Sequence, residues 1–264
     1  MANKRARKTL TPERYNDFQA IKEGRHNFRM EDPKHITDEY LKKVAGHGLD
    51  AYNKWHEEDF GKVAESLYHK LVEKNELKQN EPLVIVDPGA GYGTFLHQLK
   101  EHLNAKGIPV RAIGINVRRM GRGTVRKVNG EEVVRHEPPF ADGVEQKIGV
   151  VDKMDPDLTG KVHLLVSRRT HYYAKDLSSA LEQSHNLLHP DGLAFIDLGL
   201  VDSFNTVNET DFKEMGMHAK AINPSGYLNS RLCVKFGKTK GFNPRLRLSV
   251  LSDLEGIPSF YYWK

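Results

Sequence analysis

The chain carries a single cysteine, Cys233, in 264 residues. That excludes an intramolecular disulfide framework and points to a reducing compartment, with Cys233 read as a small buried hydrophobe. No apolar run reaches the roughly 18 residues that a membrane span needs. The basic start Met1-Ala2-Asn3-Lys4-Arg5-Ala6-Arg7-Lys8 is not followed by an apolar segment, so no secretory signal is expected and the protein is expected in the cytoplasm. No internal repeat or low-complexity tract occurs, which argues against a solenoid. No metal site is expected.

What is present is ordinary for a soluble globular chain: 38% hydrophobic and 28% charged residues. The length suits one large domain with appendages better than two equal ones. A net charge of +5 permits an anionic partner without demanding one.

The most informative stretch is Leu83-Val84-Ile85-Val86-Asp87-Pro88-Gly89-Ala90-Gly91-Tyr92-Gly93-Thr94-Phe95. A β-branched run stops at an acid, glycines follow at every second position, and a helical pattern with Phe95, Leu96, Leu99 and Leu103 on one face begins. Gly107-Ile108-Pro109 ends that helix, and Val110 to Val117 is a second apolar strand. Strand, helix, strand at this spacing is a βαβ unit, which implies a parallel sheet.

Residues 1–81 read as a basic arm followed by a helical extension. Thr11-Pro12 and Thr37-Asp38 are helix starts, and apolar positions recur at helical spacing from Leu49 to Leu77, with Gly61 among the expected breaks. The aromatics Tyr40, Tyr52, Trp55 and Phe60 either line a lid over a substrate or serve the core. After the second strand, two β-prone runs flank Asn129-Gly130, the pattern of a hairpin insertion. From Arg111 to Arg135 there are seven Arg or Lys against two Glu. Arg118, Arg119, Arg122, Arg126 and Lys127 therefore offer a candidate surface for nucleic acid, or simply a solvated charged face. Further strands are expected at Ile148–Asp152, Val162–Ser167 and Leu193–Leu198, with a helix from Lys175 to His189 between the last two. A helix is expected from Glu209 to Ala221, and closing antiparallel strands at 231–236 and 245–251.

The alternation describes an α/β fold with a doubly wound, mostly parallel sheet. The spacing Asp87-x-Gly89-x-Gly91-x-Gly93 differs from the G-x-G-x-x-G of dinucleotide sites. It resembles the first motif of the class I S-adenosylmethionine-dependent methyltransferases. Leu187 to Ile196, with His189-Pro190-Asp191-Gly192 at its centre, resembles that family's entry into its fifth strand. The resemblance spans residues 83–198. It implies a seven-stranded Rossmann-like methyltransferase domain over residues 82–264, with S-adenosylmethionine as cofactor.

The same resemblance implies site roles. Asp87 would lie near the methionine part, and the backbone of Gly89, Ala90, Gly91 and Gly93 against the cofactor. At the end of the second strand the family places an acid that accepts the ribose hydroxyls; here the position falls on Asn116. Asp152 matches an acid that receives the adenine amino group. Ser167 would lie near the sulfonium, and Arg168, Tyr172 and Tyr173 near the methyl acceptor. His171 is the candidate base, because it follows the fourth strand and a histidine titrates near neutrality. No Asn/Asp-Pro-Pro-Tyr/Phe signature follows that strand, which argues against amino-group methylation of adenine or glutamine. The expectation is a methyltransferase of unidentified acceptor. Asn116 motivates the alternative, a non-catalytic relative that binds RNA or a protein partner through its basic surface. The glycine spacing argues against a nicotinamide oxidoreductase.

Overall fold

The computed structural model of the chain describes residues 46–116, 119–120, 124–128, 131–135, 139–168, 170–171, 174, 177–200, 217–222 and 231–238. Two helices come first. Helix α1 (Leu49–His56) starts where Leu49 N–H donates to Gln98 Oε1 at 2.7 Å. It stops at Glu57, which takes a left-handed φ of 51°. Helix α2 (Phe60–Glu73) follows, and its N-cap Asp59 accepts from Lys62 N–H at 3.1 Å, the usual way to satisfy a free amide at a helix start. The apolar periodicity of 49–77 thus conceals a break at residues 57–59. Gly61, an expected break, lies inside α2, where a Cβ would stand 2.7 Å from His102 Nε2.

The βαβ unit follows as β1 (Leu83–Pro88), α3 (Thr94–Asn104) and β2 (Val110–Asn116). Strands β3 (Thr124–Val128) and β4 (Glu131–Arg135) pair with each other as the separate antiparallel hairpin that the Asn-Gly turn predicts. The chain continues through β5 (Glu145–Ile148), β6 (Val162–Ser167), α4 (Leu177–Leu187), β7 (Leu188–Leu200), β8 (His218–Ile222) and β9 (Arg231–Gly237). The main sheet runs β5-β2-β1-β6-β7-β9-β8. Strands β5, β2, β1, β6 and β7 are mutually parallel, and β9 runs against both of its neighbours.

Helices cover both faces. Leu83 and Ile85 of β1, Ala112 of β2 and Phe195 of β7 pack with Tyr52, Phe60, Leu67, Phe95 and Leu99 from α1, α2 and α3. Val86, Ile113, Leu165 and Ile196 pack on the opposite face with Ala180 and Leu181 of α4. The alternation of these residues along each strand is the period of two that a pleated strand imposes. At the start of β6, His163 is buried, and its Nδ1 accepts from Val84 N–H at 2.9 Å. Burial, and next the His189 charge, push its pKa down to about 4.

Three expectations need correction. Strand β5 ends at Ile148, so Asp152 lies beyond it, in a turn closed by a Val150–Lys153 bridge. Residues 218–221, assigned to a helix, belong to β8, because pairing along β9 supplies backbone partners that outweigh the helical preference of Ala and Lys. Helix α4 ends at Leu187, short of the expected His189, because β7 begins at Leu188. Residues 1–45, including Tyr40, and residues 245–251 lie outside the described residues.

Among the described residues, no helix is long and apolar enough to cross a membrane. From β1 the chain moves outward through β2 and β5, then returns to β6 and moves outward the other way. The reversal lies between β1 and β6, and ligands of open α/β sheets bind beyond the strand ends at such a point.

Candidate functional site

The glycine turn leaves β1 at that reversal. Gly89, Gly91 and Gly93 all take positive φ, at 89°, 57° and 80°. A side chain at any of them would be strained. The room beside two of these glycines is filled by the protein itself. A Cβ on Gly89 would overlap Thr170 Oγ1, and one on Gly93 would stand 3.0 Å from the Phe140 ring. Thr170 is a contact that nothing in the sequence signalled. Ala90 is buried and packs where Gly114 leaves space: a Cβ on Gly114 would be 2.8 Å from Ala90 Cβ. Helix α3 then starts at Gly93 with no side-chain cap.

The end of β2 grips the turn at two successive points. Gly89 N–H donates to the Ile115 carbonyl at 2.6 Å. Asn116 faces Gly91 with its whole amide: Gly91 N–H donates to Oδ1 at 3.0 Å, and Nδ2 donates to the Gly91 carbonyl at 3.0 Å.

Helix α1 lies across the C-terminal edge of the central strands. Tyr52 donates its hydroxyl to Asp87 Oδ2 at 2.7 Å, and its ring stacks on Phe95 at 3.9 Å and 4°. One helical turn on, Trp55 donates its indole N–H to Asp197 Oδ2 at 3.0 Å. Both carboxylates are fully buried. Between them, following β6, the Arg168 guanidinium lies 4.1 Å from the Trp55 ring centroid and 5.8 Å from that of Tyr52, close enough for a cation–π attraction. Asp87 Oδ1 is buried with no hydrogen-bond partner. Burial pushes the Asp87 carboxyl from its ordinary 3.8 up to about 7, against the pull of the Tyr52 hydrogen bond and the Arg168 charge. Tyr52 and Trp55 were in view from the sequence as aromatics; their pairing with Asp87 and Asp197 was not.

His171 is not placed as an accessible base. It is fully buried, with Nδ1 2.7 Å from Ser167 Oγ and Nε2 2.8 Å from Ser184 Oγ. Ser184 also reaches the Ala180 carbonyl and Ser167 the Pro88 carbonyl. Burial pushes the ring from 6.5 down to about 3, with the Asp197 charge acting the other way. A neutral imidazole held between two hydroxyls ties the segment after β6 to α4 and to the end of β1. Ser167 is thereby committed to Pro88 and His171.

Asp152 is half-buried in its turn, and Arg119 is exposed. Arg118, Arg122, Tyr172 and Tyr173 lie outside the described residues, as do the side chains of Arg126 and Lys127. Among the described residues, no group of three His, Cys, Asp or Glu is arranged to hold a metal ion.

No protein-family model matches the chain, and no curated protein does. Several solved structures are similar. The CMeT domain of the citrinin polyketide synthase is 16% identical with a TM-score of 0.46; the match covers 79% of this chain and 58% of that one. The TehB-like SAM-dependent methyltransferase from Corynebacterium glutamicum is 15% identical, TM-score 0.37, covering 68% of this chain and 98% of that one. The 1,6-didemethyltoxoflavin-N1-methyltransferase from Burkholderia thailandensis, solved with S-adenosylhomocysteine, is 13% identical, TM-score 0.39, covering 80% and 94%.

Proposed function

We propose that this chain is an S-adenosylmethionine-dependent methyltransferase of unidentified acceptor. One observation carries the reading: three positive-φ glycines at alternate positions follow a buried carboxylate at the C-terminal edge of β1, beside the reversal of strand order. The fit to a sulfonium nucleoside is chemical. Asp87 keeps one buried oxygen without a hydrogen-bond partner, and such an oxygen suits a cationic group. Helix α1 ties a second buried carboxyl, Asp197, to the same edge through Trp55, whose ring faces the Arg168 guanidinium.

In this reading Asp87 and the backbone of Gly89 to Gly93 hold the cofactor, with Asp152 and Ser167 at its borders and Arg168, Tyr172 and Tyr173 on the acceptor side. S-adenosylmethionine supplies a methyl group already activated by its sulfonium, so the protein's contribution is alignment and exclusion of water. Helix α1 supplies the exclusion, by covering the strand edge of a cofactor domain formed by 82–264. The enclosure of His171 argues against its acting as the base. An acceptor whose attacking atom is already deprotonated needs none.

Calorimetric titration of the full chain tests the reading. S-adenosylmethionine and S-adenosylhomocysteine should both bind, and NAD should not. Folded protein that gives no heat with either adenosyl compound overturns it.

A further inference from the structure

We propose that Asn116 is a positioning residue that holds the glycine turn through the Gly91 peptide, and that the site consequently discriminates only weakly between the ribo and 2′-deoxyribo forms of its nucleoside. The proposal rests on the reading of the turn as an adenosyl site.

The pairing of β1 with β2 ends at Pro88 opposite Ile115. Past that point the Gly89 amide still bonds to the Ile115 carbonyl, and the Asn116 side chain then bonds to both ends of the Gly91 residue's backbone polar groups. The side-chain amide thus extends the ladder beyond the last strand residue, as one more peptide group would. An amide does this at any pH, because it offers an acceptor and a donor side by side without having to take up a proton. A carboxylate would still accept from Gly91 N–H, but it would set a second negative oxygen against the Gly91 carbonyl. The chemistry of position 116 is therefore matched to the turn.

That match has a consequence for the ligand. An acid at the end of the second strand can accept from both hydroxyls of a ribose with a full charge, a strong and bidentate arrangement. Asn116 is buried and already uses one lone pair and one N–H on Gly91. It retains one of each and no charge, so it can offer the hydroxyls neutral hydrogen bonds only. A neutral hydrogen bond is worth roughly five- to tenfold in affinity, whereas a charged pair reaches about a hundredfold.

The test compares S-adenosylhomocysteine with its 2′-deoxy form on the full-length wild type and on Asn116→Asp, with amide hydrogen exchange at Gly91 as an independent reading. The wild type should bind the two compounds within about tenfold of each other. In Asn116→Asp both affinities should fall together by about tenfold, with their ratio held within tenfold. Exchange at Gly91 should accelerate at least about tenfold in Asn116→Ala relative to Ala112 in the middle of β2. A wild-type preference above about a hundredfold for the ribo form, or tighter binding of S-adenosylhomocysteine by Asn116→Asp, overturns the proposal. If neither compound binds the wild type, the methyl-donor reading fails, and Gly91 exchange still decides the positioning role: no acceleration in the alanine variant refutes it.

Discussion

Replacing Asp87 by Asn should make stability rise more steeply with pH. The carboxyl is fully buried and its pKa is raised from 3.8 to about 7. A raised folded value means that the stabilising contribution is complete below pH 3.8, where the group is protonated in both states, and is lost as pH climbs through about 7. The distance between the two values corresponds to about 4 kcal/mol. His171 has the opposite sign: its depressed value, about 3 against 6.5, gives a contribution present above pH 6.5 and lost as pH falls. Between about pH 4 and 6.5 these two slopes, each about 1.4 kcal/mol per pH unit, cancel, and His163, depressed to about 4, supplies a rising slope that wild type and variant share. Asp87→Asn removes one slope and exposes the other. Urea unfolding of both proteins at several pH values between about 4 and 8 reads this directly. The variant-minus-wild-type difference should rise by about 4 kcal/mol across the range. Loss of the full-strength Tyr52 hydrogen bond adds an offset that does not depend on pH, so it drops out of the slope. A difference that stays constant within about 1 kcal/mol would show that Asp87 does not titrate in this window and would refute the burial argument.

Other outcomes follow from the same geometry. Gly89→Ala should destabilise by more than about 2 kcal/mol, because left-handed strain is compounded by overlap with Thr170, whereas Gly107→Ala, also at positive φ but with nothing within 4 Å, should lose only about 1 kcal/mol; thermal melts of the two compare them directly. Trp55→Phe keeps the ring but leaves Asp197 Oδ2 without its indole donor, and should lower stability by about 1–3 kcal/mol in chemical denaturation. Binding of S-adenosylmethionine near pH 6.5 should release protons as the cation draws Asp87 into its charged form, and neutral S-adenosylhomocysteine should release fewer; calorimetry in buffers of different ionisation enthalpy measures the difference, and equal release by both would count against a sulfonium beside Asp87.

The glycine turn and the βαβ unit were legible because their signals are local. Positive φ at alternate positions selects glycine, and Asn-Gly selects a tight hairpin. The break between α1 and α2 was hidden because Glu57, not a glycine or proline, takes the left-handed conformation. Strand β8 was hidden because an edge strand of Ala and Lys takes its conformation from its neighbour. The fate of His171 could not be read, since a histidine after a strand looks the same in sequence whether solvent or two serine hydroxyls surround it. Least legible were the contacts of α1: an aromatic pair at helical spacing is visible, but the carboxylates it meets are 35 and 142 residues away.

That separation also bears on how the protein is made. A ribosome adding about 5–20 residues per second takes roughly 7 to 28 seconds to travel from Trp55 to Asp197. For that interval α1, eight residues long and too short to hold itself as a helix, has no partner at the far end of its anchor. The helix that covers the sheet edge is thus synthesised before most of what it covers, and its docking is complete only after β7 has emerged. A truncated chain ending before β7 should leave Trp55 open to solvent quenching even where the βαβ unit has already formed.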